Sequence, residues 1–296
     1  MAKNTDTIEC TPLWDVPRIA RTISEGPIFD RLNESAKLDL RGADDIADKV
    51  AVALTDPKPI EIDMPVLNAV LAAQYYEVFA ALGLPRNLSV YEPCVGASPP
   101  VIVATDAFSG GAGSYLTINL NRKLRGELQE KIAHITTTIR IVEDNAQDAM
   151  LHLQPKSFDV ACFHHAINDI LQTAVSEPRG LDTTAIDWFP NERQMIEWLA
   201  EDAIAGRIES RGKPELMQII GDAVRLVRPG GYLIFDHFNW QRFIGVDWFP
   251  WDLFYNLIPM TRSWIKESGL PAGEVQLNNL PTQWWMIFRV EPQEHD

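Results

Sequence analysis

The sequence predicts an α/β fold built on a mostly parallel sheet covered by helices on both faces. Three observations predict it. From Leu88 onward, short β-rich runs alternate with helical stretches, which demands crossover connections between parallel strands. Before that point the pattern is helical, with apolar residues at three- and four-residue spacings. Late in the chain, GDAVRLVRPGGYLIFD passes from a helix with a basic last turn, through Pro229, Gly230 and Gly231, into a strand.

The elements follow in order. VPRIARTI, ADDIADKVAVAL and PVLNAVLAAQYYEVFAALGL make residues 1–86 a helical N-terminal cap. LSVYE, SYLTINLN, TTIRIVE, FDVACFHH, GYLIFDHF and WWMIFRV are the strand runs of a second region, 87–296. Insertions at about 173–215 and 239–272 are longer than ordinary connections and belong near the strand ends. At 296 residues, without an internal repeat or sustained heptad, the chain reads as one enzyme-sized unit.

Composition bounds the function. Hydrophobic residues make up 46% and charged residues 23%, and no apolar run approaches the roughly 18 residues of a membrane span. The first residues show no basic segment followed by an apolar stretch, and Cys10, Cys94 and Cys162 have no paired spacing, so the expectation is a cytoplasmic protein. A net charge of −15 opposes a polyanionic partner, so nucleic acid is not expected.

SVYEPCVGASPP reads as strand, tight turn and helix start. In an open parallel sheet such a turn brings the backbone closest to a ligand, and small residues are needed there. Glu92 ends the strand, Gly96 sits mid-turn, and Cys94 and Ser98 occupy outer positions that glycine would otherwise fill. Pro99 and Pro100 remove amide donors where the next helix begins, which disfavours a phosphate ligand.

The acidic strand end, the degenerate glycine turn and the later RLVRPGG resemble, in the same order, the class I S-adenosylmethionine-dependent methyltransferase family, over about residues 86–292. The resemblance implies a Rossmann-like, doubly wound, seven-stranded sheet whose last strand is antiparallel, with S-adenosyl-L-methionine as cofactor. It implies that Glu92, Cys94 and Gly96 hold the cofactor at the turn. Asn119, with Leu120, stands where the family places a ribose-binding acid, Asp144 and Asn145 where it contacts adenine, and His164 beside the methyl donor. The family's Asn-Pro-Pro-Tyr type of motif is absent, which argues against methylation of adenine or glutamine amides.

His164 and His165 follow an apolar run and precede Asn168 and Asp169, so they emerge at the carboxyl edge of the sheet. Imidazole takes a proton near neutral pH, which makes His165 a candidate general base, with His237 in FDHFNW as its competitor. A structural histidine bonded to Asn168 or Asp169 is the plain alternative. Cation-dependent O-methyltransferases offer a partial match through His164 or His165 with Asp236, His237 and Asn239, but their first acid is missing, and no metal is expected.

Tyr76, Asn168, Trp240, Trp248 and Trp251 are the candidate substrate residues, the tryptophans supplying aromatic walls for a flat apolar or cationic guest. The same aromatics would equally serve the protein's own core or a homodimer face. The expected activity is methyl transfer to a hydroxyl or nitrogen of a small aromatic or heterocyclic molecule. The alternative is a non-methylating protein of the same fold, either another catalyst or a partner-binding scaffold.

Overall fold

The computed structural model describes residues 6–8, 15–41, 46–55, 64–237, 243, 245–278 and 280–292. Its strands are β1 (Asp6–Ile8), β2 (Ser89–Pro93), β3 (Ser114–Ile118), β4 (Thr138–Val142), β5 (Phe158–His164), β6 (Val227–Asp236), β7 (Ala272–Leu277) and β8 (Trp285–Val290). They form one sheet in the order β1-β7-β8-β6-β5-β2-β3-β4. Neighbours from β6 to β4 run parallel, and β8 lies antiparallel between β6 and β7. The strands β2 to β8 are the expected seven, and β1 adds a three-residue parallel strand beside β7.

β2, β3, β5, β6 and β8 coincide with apolar runs because they are largely buried on both sides, whereas β4, at the edge of the sheet, is only partly covered. Adjacent residues feed opposite faces: Val90, Cys162 and Ile234 enter one core, while Tyr91, Phe163 and Phe235 enter the other. Helices Val16–Ser24, Met64–Ala81 and Pro100–Ser109 cover the first face, and Ala166–Ser176, Ile208–Leu226 and Trp251–Ser268 cover the second. Pro100–Ser109 is buried at every position. Met64–Ala81 packs against it and against the sheet, which is why its sequence is apolar nearly all round.

The Pro-Gly-Gly turn lies inside β6. Val227 pairs with Phe158 and Tyr232 with Val160, so the residues between them bow out of the ladder. A Cβ at Gly231 would stand 2.5 Å from the Asp159 carbonyl oxygen, so the close approach requires glycine.

The insertion after β5 folds into a short 3-10 turn, Glu177–Arg179, and the helix Trp188–Ile204. It is fastened by Asp202, fully buried, which receives Arg179 and Arg207 at 2.8 Å and Arg211 at 3.0 Å. Burial opposes ionisation of this carboxyl, yet the three guanidiniums outweigh it and hold the group far below the usual carboxylate range. Among the described residues no helix is long and apolar enough to cross a membrane.

Candidate functional site

The sheet reverses its order between β2 and β5. Pairing of these two strands stops at Tyr91 and Ala161, although β2 runs on to Pro93 and β5 to His164, so a crevice opens between their carboxyl ends. The turn over it is tight: Cys94 and Gly96 have φ of 58° and 59°, the left-handed region. Cys94 therefore occupies a backbone position that favours glycine, in keeping with its place in the turn pattern. Its thiol is pushed up by burial and by the charges of Asp169 and Glu215, so it stays a small neutral wall. Pro100 opens the next helix at a position where a missing N–H costs nothing.

A cleft open to solvent lies beyond the turn. Cys94, Gly96, Asn119, Leu120 and Asn145 line it, so five of the eight expected cofactor residues come together there. Asn119 also ties the site: its side-chain amide donates to the Gly96 carbonyl at 2.7 Å, fastening the end of β3 to the turn. Asn121 caps the helix Arg122–Lys131 and donates to the carbonyls of Thr183 and Ile186, drawing the insertion over the cleft.

The other three stand elsewhere. Glu92 lies under the turn, fully buried, accepting from the Tyr115 hydroxyl at 2.5 Å. Burial raises its carboxyl to about 8 against the lowering influence of His164 and Tyr115, so it is a neutral group of the core rather than a charged wall. Asp144 turns outward to His152, whose Nε2 lies 2.6 Å away, and leaves the cleft to its neighbour Asn145. His164 belongs to the histidine cluster described below.

Residues not anticipated also line the cleft: Asp169, Thr173, Thr183, Trp188 and Glu215. Asp169 faces it in place of Asn168, which is buried and donates to the Asp169 carboxylate at 2.5 Å. Trp188 packs with Leu124 and Met195 to close one wall. Burial pushes Glu215 up to about 7 against a hydrogen bond from Gln147. The lining thus carries two carboxyl groups and no Lys, Arg or His.

At the ends of β5 and β6 a second constellation assembles. Asp236 is fully buried, with His164 Nδ1 2.9 Å from its Oδ1 and the Tyr75 hydroxyl donating to the same oxygen. Burial would favour the neutral acid, but His164 outweighs it and keeps the Asp236 carboxyl low. In return the carboxylate raises His164 against the cost of burying its charge. His164 Nε2 stands 3.2 Å from Ser98 Oγ, so Tyr75, Asp236, His164 and Ser98 form one hydrogen-bonded line leading to the turn. His165 lies beside it, partly accessible, with Nε2 3.9 Å from Asp236 Oδ2. His237 is fully buried against Phe254, and burial with the nearby His165 and His164 charges depresses its basicity well below the usual value. Of the two candidate bases, His165 is the accessible one.

The substrate candidates separate likewise. Tyr76 packs edge-on against Phe108, 5.6 Å between centroids, and its neighbour Tyr75 is the residue that reaches the strand ends. Trp248 packs against Phe243 and under the Arg193 guanidinium, and Trp251 stacks on Tyr255. Both belong to a continuous aromatic layer with Phe249 and Phe254. Trp240 lies outside the described residues.

The strand order, with β8 inserted antiparallel beside β6, decides the architecture. It is a Rossmann-like, mostly parallel sheet whose last strand is antiparallel, the sheet the sequence led one to expect. Solved structures of that type are similar at low identity. An arsenic(III) S-adenosylmethionine methyltransferase from Chlamydomonas reinhardtii is 13% identical with a TM-score of 0.37, over 71% of this chain and 65% of that one. An O-methyltransferase family protein from Burkholderia thailandensis is 13% identical with a TM-score of 0.41, over 91% and 73%. Aeropyrum pernix fibrillarin, solved with natively bound S-adenosyl-L-methionine, is 10% identical with a TM-score of 0.34, over 70% and 69%. The chain thus spans less than two thirds of the algal enzyme. No family model and no curated protein matches the sequence.

Proposed function

We propose that the cleft binds S-adenosyl-L-methionine and that the protein transfers its methyl group to an oxygen or nitrogen of a small acceptor. The observation that carries the reading is the cleft's chemistry. It lies at the reversal of strand order, is edged by the amides of Asn119, Asn121 and Asn145, and carries Asp169 and Glu215 with no basic side chain. Such a lining suits a nucleoside bearing a positive sulfonium and repels the phosphates of a dinucleotide or nucleoside triphosphate. The net charge of −15 likewise favours a small acceptor over nucleic acid.

His165, half-buried beside Asp236, is the group we assign to the acceptor's proton, and alignment of the acceptor supplies the rest. Calorimetric titration with S-adenosylmethionine, ATP and NAD tests the reading: heat with the first alone is expected, and none with it would overturn the assignment. Methyl transfer from labelled cofactor to a metabolite extract then identifies the acceptor. The second reading, a non-methylating protein of this fold, is favoured by Asn119, whose amide is spent on Gly96 where a free acid would grip the ribose. Tight binding without transfer to any acceptor would select it.

A further inference from the structure

Three of the chain's six histidines, His164, His165 and His237, gather around Asp236. Successive strand residues point to opposite faces, so His164 and His165 should diverge. They converge instead. His165 adopts a left-handed backbone, φ 51° and ψ 11°, which residues with a Cβ avoid unless the surroundings impose it. The kink folds its ring back to 4.8 Å from that of His164 and aims Nε2 at Asp236. One donor atom from each of His164, His165 and Asp236 lies within 4.8 Å of the other two. A small contraction brings such a set onto an ion whose bonds run about 2.0–2.2 Å. The outer partners that fix metal ligands are in place as well: Ser98 Oγ on the far nitrogen of His164, and the Tyr75 hydroxyl on the carboxylate.

We propose that His164, His165 and Asp236 form a binding site for a divalent transition-metal ion. Two imidazoles and one carboxylate suit zinc, manganese or iron; magnesium and calcium call for oxygen donors. The ion takes the place of the hydrogen bond between His164 Nδ1 and Asp236, and its remaining positions open on the partly accessible side of His165. Under this inference His165 is a ligand in the loaded protein and a base in the stripped one. The inference is independent of the methyl-transfer reading, because the ion binds without S-adenosylmethionine.

The test strips the full chain with a chelator and titrates it with zinc alone by calorimetry, with metal content measured after gel filtration. The parent is expected to take up one equivalent. His165→Asn tolerates the left-handed backbone and should weaken zinc binding by more than about 100-fold, beyond the roughly 10–100-fold typical of losing an outer partner. His165→Cys restores a ligand and should recover most of the affinity. Tyr75→Phe and Ser98→Ala should each cost about 10-fold. His134→Ala and His152→Ala should change nothing. Asp236→Asn should also abolish binding; if it does not fold, His165→Asn decides. No uptake by the parent, uptake unchanged in His165→Asn, or uptake lost with His134 or His152 overturns the proposal.

Discussion

Glu215 offers the sharpest handle on the cleft, because its carboxyl lines the pocket and burial holds it near 7, where ordinary buffers switch its charge. A raised carboxyl is neutral below its midpoint and negative above it, so raising the pH from 6 to 8 adds a negative charge to a cleft that already contains Asp169. Take a bound sulfonium on the order of 8 Å from that charge. Coulomb attraction at an effective dielectric near 20 is then about 2 kcal/mol. Water at the open mouth and salt reduce it to roughly 1 kcal/mol, about fivefold in Kd. S-adenosylhomocysteine is the natural control, since it differs by the methyl group and the positive charge on sulfur. Titration calorimetry at pH 6 and pH 8 should show affinity for S-adenosylmethionine rising about fivefold while that for S-adenosylhomocysteine stays level. Glu215→Gln should flatten the first curve onto the second. Equal pH dependence for the two ligands, or an unchanged ratio in Glu215→Gln, would refute the electrostatic argument for the cleft.

Other consequences can be measured alongside. Asp202→Asn leaves three guanidiniums around an uncharged amide and should cost about 3–5 kcal/mol in denaturant unfolding. Because the folded Asp202 carboxyl is held low, its contribution is present at neutral pH and is lost as acid titrates it, so parent and variant stabilities should converge at low pH. Glu92 behaves oppositely: its folded carboxyl titrates near 8, so the cost of burying it grows as pH rises from the ordinary carboxylate range to about 8 and is complete above that. Glu92→Gln should therefore be more stable than the parent at pH 9, and a parent stability that does not fall between pH 5 and 9 relative to this variant would remove the effect. Asn119→Asp sets a carboxylate against the Gly96 carbonyl and should weaken cofactor binding about as much as Asn119→Leu, roughly 1–3 kcal/mol by calorimetry. His165→Asn should lower methyl transfer by about 10² to 10⁴ with cofactor affinity unchanged.

The central strands were legible because burial on both faces makes them apolar runs, the edge strand β4 because of its β-branched Thr138, Ile139, Ile141 and Val142, and β7 escaped notice because Gly273, Glu274 and Gln276 interrupt its pattern. The turn was legible for a local reason too: Cys94 and Gly96 are small where the backbone turns left-handed, Asn119 follows directly on β3, and Asn145 lies in the short turn just after β4. Glu215, Thr183 and Trp188 were not. They reach the cleft only because Asn121 and Asp202 draw the insertion over it, contacts between segments that no periodicity encodes. Tyr75 and Tyr76 show the same limit on a smaller scale, since neighbours on an apolar helix differ by about 100° in direction and packing alone selects which one meets Asp236.

The short strand β1 joins nearly the first residues of the chain to nearly the last, with Asp6 opposite Val275. Its partner β7 is paired on its other side with β8, so β1 covers what would otherwise be the free edge of the sheet. Without those three residues β7 would present a bare edge to other chains, the hazard that edge strands carry.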